Sequence, residues 1–172
     1  REEEIAAAIA EDLRRDPFGA WLGEIAGTAA EASHARKSLR RWMFPKIKPI
    51  PLTQMPGFAS VRPEPLGTVL VIGPWNYPIY LSLSPLVAAV AAGNTVVIKP
   101  SELAPACSAL LAELLPQYVD PDAVAVVEGD ATTTQALLAQ GFDHALFTGG
   151  TEIGRKIMAA AAEHLTPVTL EL

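Results

Sequence analysis

The sequence predicts an α/β fold: a doubly wound parallel sheet preceded by helices and a Pro-rich extended arm. Three observations predict it. After Gly67, five short apolar runs alternate with helical segments. Six prolines between Pro45 and Pro65 set this region apart from what precedes it. Residues 1–44 carry helical spacing. The expected division is therefore 1–44 as N-terminal helices, 45–66 as the arm, and 67–172 as the sheet domain.

The N-terminal helices break near Asp16-Pro17, where Asp16 can cap and Pro17 can open the second segment. In that segment Trp21, Ile25, Ala29 and Ala32 recur at helical spacing and predict one apolar face. Arg36, Lys37, Arg40 and Arg41 follow at its end, where cations complement the helix dipole. Pro45, Pro49, Pro51, Pro56, Pro63 and Pro65 exclude helix and central strand, so an extended arm lying over a surface is expected, with Phe58–Arg62 as a possible edge strand.

From Gly67 the expected order is strand 68–72, helix 78–92, strand 95–98, helix 104–115 and strand 123–127. Helix 132–139, strand 144–147, helix 152–163 and a strand from Val168 complete it. The β-branched run Thr68–Ile72 suits a buried parallel strand, and right-handed crossovers would place helices on both sheet faces. The apolar stretch from Ile79 to Ile98 contains Ser82, Ser84, Pro85 and a Gly93-Asn94 turn, which reads as a buried helix and a buried strand rather than a membrane span.

Bulk composition narrows the class. The chain has 172 residues, half of them hydrophobic and 19% charged, which excludes disorder. A net charge of −6 argues against a nucleic-acid partner. A single cysteine excludes a disulfide framework and fits a reducing, cytoplasmic setting, and the three histidines lie at no metal-ligand spacing, so no metal is expected. The chain opens at Arg1 in mid-helix and stops at Leu172 inside an apolar run, so a fragment is expected at both ends.

In an open α/β sheet, ligands bind beyond the carboxyl ends of the strands. Four segments are predicted there. Gly73-Pro74-Trp75-Asn76-Tyr77-Pro78 follows the first strand; Gly73 permits close backbone approach, Pro78 suits a helix start, and Asn76 reads first as a helix cap and second as an amide donor. Lys99-Pro100-Ser101-Glu102 follows the second strand. Lys99 and Glu102 either face a ribose or are a solvated lysine and a capping Ser-Glu pair. Gly129-Asp130 is weak by itself. Phe147-Thr148-Gly149-Gly150-Thr151-Glu152-Ile153-Gly154 brackets a helix start with glycines, which suits a phosphate although it is not a GxGxxG pattern.

In this order the segments resemble the aldehyde dehydrogenase superfamily. The resemblance rests on Pro74-Trp75-Asn76-Tyr77-Pro78, on Ala92-Gly93-Asn94-Thr95-Val96-Val97-Ile98-Lys99-Pro100-Ser101-Glu102, and on Phe147-Thr148-Gly149. The run His164-Leu165-Thr166-Pro167-Val168-Thr169-Leu170-Glu171-Leu172 looks most like the class 3 branch, which takes fatty and aromatic aldehydes.

The resemblance implies a Rossmann-like NAD(P)-binding domain and oxidation of an aldehyde to a carboxylic acid with NAD, NADP being possible. Asn76 falls on the oxyanion asparagine, displacing the cap reading, and Glu171 falls on the general-base glutamate. Cofactor contacts fall on Ile72, Gly73, Pro74 and Trp75, on Lys99 and Glu102 at the adenosine ribose, and on Thr148, Gly149, Gly150, Thr151 and Gly154 near the pyrophosphate. Gly150 stands where a serine or similar residue is common. The family's nucleophilic cysteine lies beyond Leu172, and Cys107 sits in a helix where a small buried hydrophobe is expected, so the 172 residues alone are expected to be inactive. A homodimer is implied, with no membrane contact from this segment. Two alternatives stay open: a non-catalytic nucleotide-binding module and a related semialdehyde dehydrogenase.

Overall fold

The computed structural model describes residues 1–172. Helix α1 (Glu2–Leu13) leads to α2 (Pro17–Ala20), which runs through a π-helical segment, Trp21–Ala26, into α3 (Gly27–Met43). Strands β1 (Lys46–Lys48) and β2 (Ala59–Val61) follow, joined through a short 3-10 turn, Leu52–Gln54. Then come β3 (Thr68–Ile72), α4 (Tyr80–Ala91), β4 (Thr95–Lys99), α5 (Pro105–Tyr118) and β5 (Val124–Val126). The remainder is α6 (Ala131–Leu138), β6 (His144–Thr148), α7 (Thr151–Ala162) and β7 (Val168–Glu171).

The main sheet has the order β5-β4-β3-β6-β7, and every neighbouring pair is parallel. Its registers put Thr68 beside Thr95, Val69 beside His144 and Ala145 beside Val168. The chain steps outward from β3 to β5, then returns to lay β6 against the other side of β3. Strand alternation divides the core between the two faces. Val69 and Val71 pack with Leu86 and Ala89 of α4 and with Val96 and Ile98. Leu70 and Ile72 pack with Leu138 of α6 and with Ile157 and Ala161 of α7. A third cluster, Ala8, Ile9, Ala20, Ile79, Cys107 and Leu111, fastens α1 to the outer side of α5 and to the start of α4. No helix is long and apolar enough to cross a membrane.

Asp16 caps α2 as its position predicts, its carboxylate accepting from Gly19 N–H at 3.0 Å. Three expectations need correction. The face Trp21, Ile25, Ala29, Ala32 is not the buried one: Trp21, Ala29 and Ala32 are exposed, whereas Ala20, Glu24, Ala35 and Ser38 are buried. The wider π-helical turn at Trp21–Ala26 shifts the phase that a uniform helical period assumes. The Pro-rich arm does not lie over a surface. β1 pairs antiparallel with β2 as a separate ribbon, and nearly all of 45–66 is exposed. Pro78 does not start a helix: α4 begins at Tyr80, while Pro78 is buried in the preceding turn and its carbonyl accepts from Ser82 Oγ at 2.6 Å.

Candidate active site

The strand order reverses between β3 and β6, so the loops leaving these two strands diverge and open a crevice above the carboxyl edge. A cavity of about 880 Å³ occupies that crevice. Its wall contains Ile72, Gly73, Pro74, Trp75, Asn76, Lys99, Glu102, Thr148, Gly149, Gly150 and Glu171. Two of the expected residues lie elsewhere. Thr151 is the exposed first residue of α7, and Gly154 is buried beneath Leu172, where an added Cβ would come within 2.6 Å of Leu172 Cδ2.

The cavity extends into a slot between two helices that the motifs alone did not indicate. Ala131, Thr134, Gln135, Leu138 and Ala139 present one face of α6 and the residue beyond it. Ile153, Lys156, Ile157, Ala160 and Glu163 present the facing side of α7 and its cap. Both sets recur at three- and four-residue spacing, a signal available in the sequence once the two helices are known to flank one crevice. The slot is mostly apolar with polar rims, which suits a flat ring system.

Lys99 is not a solvated lysine: it is 2% exposed. Its ammonium donates to Pro100 C=O at 2.8 Å, to Gly129 C=O at 2.6 Å and to Glu102 Oε2 at 3.2 Å. All three of its N–H groups are thus directed by protein acceptors, and Glu102, itself exposed, holds the outermost one at the cavity wall. Ser101 and Glu102 do not cap α5, which begins at Pro105 and is capped by Asp12 from α1. The Asp12 carboxylate accepts from Ala106 N–H at 3.1 Å and Cys107 N–H at 2.8 Å.

The helix starts of the sheet domain differ in one respect that bears on ligands. A helix N-terminus leaves N–H groups unpaired and carries partial positive charge. At α5 this is answered by Asp12, and at α6 by Asp130, which accepts from Thr132 and Thr133 N–H at 2.9 and 3.2 Å. Those two backbone donors hold the Asp130 carboxyl below its ordinary value. At α4 it is answered by Glu24, whose Oε2 accepts from Ile79 and Tyr80 N–H at 3.0 and 2.9 Å. α7 alone among the four has no carboxylate bonded to its first N–H groups, although Glu152 stands in its first turn. Its cap is Gly150, extended at φ −72 and ψ 146, with no side-chain cap bond, and a Cβ built on Gly150 would meet nothing within 4 Å. Open space, free N–H groups and positive dipole coincide on the cavity wall, an arrangement that favours an anion.

Two polar side chains on the same wall keep a polar group free of any protein partner. Asn76 is not the cap of α4, which begins four residues later. Its Oδ1 accepts from Tyr77 N–H at 3.1 Å, and its Nδ2 donates to no protein atom. Glu171 closes β7 beside Thr148, its backbone carbonyl accepting from Gly149 N–H at 3.0 Å, while its carboxylate makes no hydrogen bond or ion pair within the chain. An amide donor and a free carboxylate therefore share a cavity with the start of α7.

Cys107 takes no part. It is fully buried in α5, and burial, followed by its contact with Asp12, pushes its thiol well above the usual range. Glu24, also fully buried, was invisible to sequence reading because a lone carboxylate among Trp21, Leu22, Ile25 and Ala26 is assigned to solvent by default. Burial raises its carboxyl above the ordinary value, against the pull of the Tyr80 and Ile79 amides and the Arg15 guanidinium.

Comparison with known proteins places the chain and its fold. The model of the aldehyde dehydrogenase family matches residues 1–172. Aldehyde dehydrogenase family 3 member H1 of Arabidopsis thaliana is 52% identical over 171 residues, which are 99% of this chain and 35% of that protein. Family 3 member A2 of Mus musculus is 48% identical over 172 residues, all of this chain and 36% of that one. Among solved structures, the substrate-bound state of Staphylococcus aureus AldH superposes with a TM-score of 0.97 at 40% identity, over 99% of this chain and 37% of that one. A lactaldehyde dehydrogenase superposes at 0.89 with 31% identity, over 100% and 36%. The chain thus spans about a third of the length of the relatives it matches.

Proposed function

The chain belongs to the aldehyde dehydrogenase family, and we propose that it is the nucleotide-binding portion, residues 67–172 with helices 1–44 and arm 45–66, of an enzyme that oxidises aldehydes to carboxylic acids. The observation that carries this reading is the convergence on one cavity of an unpartnered amide N–H donor at Asn76, an unpartnered carboxylate at Glu171 and a glycine-lined helix start at Gly149 and Gly150. The cofactor is NAD or NADP, and when bound it supplies the acceptor for the hydride lost from the aldehyde carbon.

The residues fit such a dinucleotide. The pyrophosphate would sit at Gly149 and Gly150, beside the Thr151 and Glu152 N–H groups, which meet no protein acceptor, and where no Cβ intrudes. The adenine would enter the slot between α6 and α7. Glu102, held in place by the Lys99 ammonium whose three N–H groups are engaged, would accept from the ribose hydroxyls, and a carboxylate there favours NAD over its 2′-phosphorylated form.

The substrate carbonyl would lie against Asn76, whose Nδ2–H donates to the oxygen as it gains negative charge. The attacking thiol comes from outside these 172 residues, since Cys107 is buried and held protonated. Glu171 then takes the proton from a water that attacks the resulting thioester, releasing the acid. The enzyme is read as a cytoplasmic homodimer acting on fatty or aromatic aldehydes.

The test is aldehyde-dependent NAD(P)H formation by the full-length enzyme, followed at 340 nm. Asn76→Ala is expected to lower kcat by about 10²-fold, the loss typical of one oxyanion donor, with nucleotide affinity unchanged. A kcat within twofold of the parent would remove Asn76 from the mechanism.

A further inference from the structure

The N–H groups of the loop that carries Asn76 find no acceptor in the backbone. Between Gly73, whose N–H donates to Lys99 C=O, and Leu81, whose N–H reaches Tyr77 C=O, no backbone N–H donates to a backbone carbonyl. Further fixation comes from a partly buried ion pair, Arg15 with Glu24, more than fifty residues upstream. Glu24 is fully buried, and its two oxygens are divided. Oε2 accepts from Ile79 and Tyr80 N–H at 3.0 and 2.9 Å, and Oε1 accepts from Arg15 at 2.8 Å. The other arm of the Arg15 guanidinium donates to Asn76 C=O at 2.8 Å, and its plane lies over the Tyr77 ring, 4.5 Å from the centroid. Residues 76, 77, 79 and 80 are therefore each gripped by one pair of side chains.

The local winding serves this arrangement. Gly23 and Gly27 lie within and just after the π-helical segment. A Cβ on Gly23 would stand 3.1 Å from Tyr77 Cε1, and one on Gly27 would stand 2.9 Å from Tyr80 Cε2. The helix thus approaches the loop as closely as two absent side chains allow, and the π turn places Glu24 between those glycines. Burying a charge pair is costly in desolvation and is weak evidence of stabilisation. A fork-shaped guanidinium that meets a carboxylate with one arm and a carbonyl with the other is better suited to setting a position.

We propose that Arg15 and Glu24 are positioning residues that orient Asn76 for its hydrogen bond to the developing oxyanion. The proposal rests on the reading of Asn76 given above. The test uses the full-length enzyme. The double substitution Arg15→Met, Glu24→Gln removes both charges together and leaves an amide oxygen to accept from Ile79 and Tyr80, so no lone buried charge remains. It is expected to lower kcat about tenfold while the dissociation constant for NAD stays within twofold. Added to Asn76→Ala, and read in single turnover at high enzyme concentration, it is expected to change the residual rate less than twofold, because its effect runs through Asn76.

A purely structural pair would lower the rate equally in both backgrounds, or weaken nucleotide binding in step with kcat, and either result overturns the proposal. A kcat within twofold of the parent also overturns it. If Asn76→Ala alone leaves kcat unchanged, the assignment of Asn76 itself has failed. Should the double variant not fold, Arg15→Lys keeps the charge but not the fork. It is expected to keep the parent's melting temperature and lose kcat severalfold; parental kcat would refute the proposal.

Discussion

Replacing Gly150 by aspartate drives stability and ligand binding in opposite directions if the N-terminus of α7 is the phosphate seat. The site accepts a side chain without repacking: Gly150 is extended at φ −72 and ψ 146, and its Cβ would have no neighbour within 4 Å. An aspartate there can accept from the first N–H groups of α7, as Asp130 does at α6. Relative to glycine the cap adds a few tenths of a kcal/mol, the helix dipole adds about 0.3–1, and the stiffer unfolded chain adds about as much again. The sum, roughly 1–2 kcal/mol, raises the melting temperature by a few degrees in a domain of this size. The same carboxylate would lie roughly 5 Å from a bound phosphate, where repulsion at an effective dielectric of about 20 is about 3 kcal/mol, or about a hundredfold in affinity. Differential scanning fluorimetry and a calorimetric titration with NAD measure the two effects on one sample. A variant that is more stable and binds a hundredfold more weakly supports the seat. Unchanged nucleotide affinity would refute it, because no other route lets a cap-forming aspartate avoid the phosphate.

Other expectations follow from the packing and titration described above. Gly149→Ala drives a methyl onto Cζ of the buried Phe147 ring and should cost about 1–3 kcal/mol in chemical denaturation. Because folding lowers the Asp130 pKa, its stabilising share is present above the ordinary value of 3.8 and is lost as pH falls through the lower folded value; Asp130→Ala should flatten the acid limb of melting temperature against pH. Glu24 has the opposite sign. Its folded pKa lies above the ordinary 4.5, so its contribution is largest below 4.5 and declines as pH rises through the folded value, and Glu24→Gln should gain on the parent in melting temperature with rising pH.

The sheet was legible because its strands are short β-branched runs, such as Thr68–Ile72 and Thr95–Lys99, separated by helices of ordinary length. The crevice followed from strand-end chemistry: Lys99, Gly149 and Asn76 all lie where a doubly wound sheet exposes its carboxyl edge. The N-terminal helix was less legible, since a π-helical turn breaks the phase on which a periodic reading of Trp21 and Ile25 depends. Lys46–Lys48 offers three residues among prolines, too few to show alternation, so the ribbon it forms with Ala59–Val61 is a long-range pairing that local pattern cannot reveal. Residue type alone also left Asn76 divided between cap and amide donor. What decides against the cap is Glu24, distant in sequence, which already occupies the N-terminus of α4.

In the proposed function, Glu171 and the cavity above β3 and β6 serve aldehyde oxidation with a nicotinamide nucleotide in the full-length enzyme. Rapid-mixing absorbance at 340 nm on the full-length Glu171→Gln enzyme tests it most directly. With the base removed but the oxyanion donor and nucleotide seat intact, oxidation should proceed once and hydrolysis should stall. The predicted trace is a burst of about one equivalent of NADH per site followed by a steady rate at least a hundredfold below the parent, in line with the loss of a general base. An unaltered steady rate would contradict the role of Glu171, and the absence of any aldehyde-dependent NAD(P)H from the parent enzyme would contradict the account as a whole.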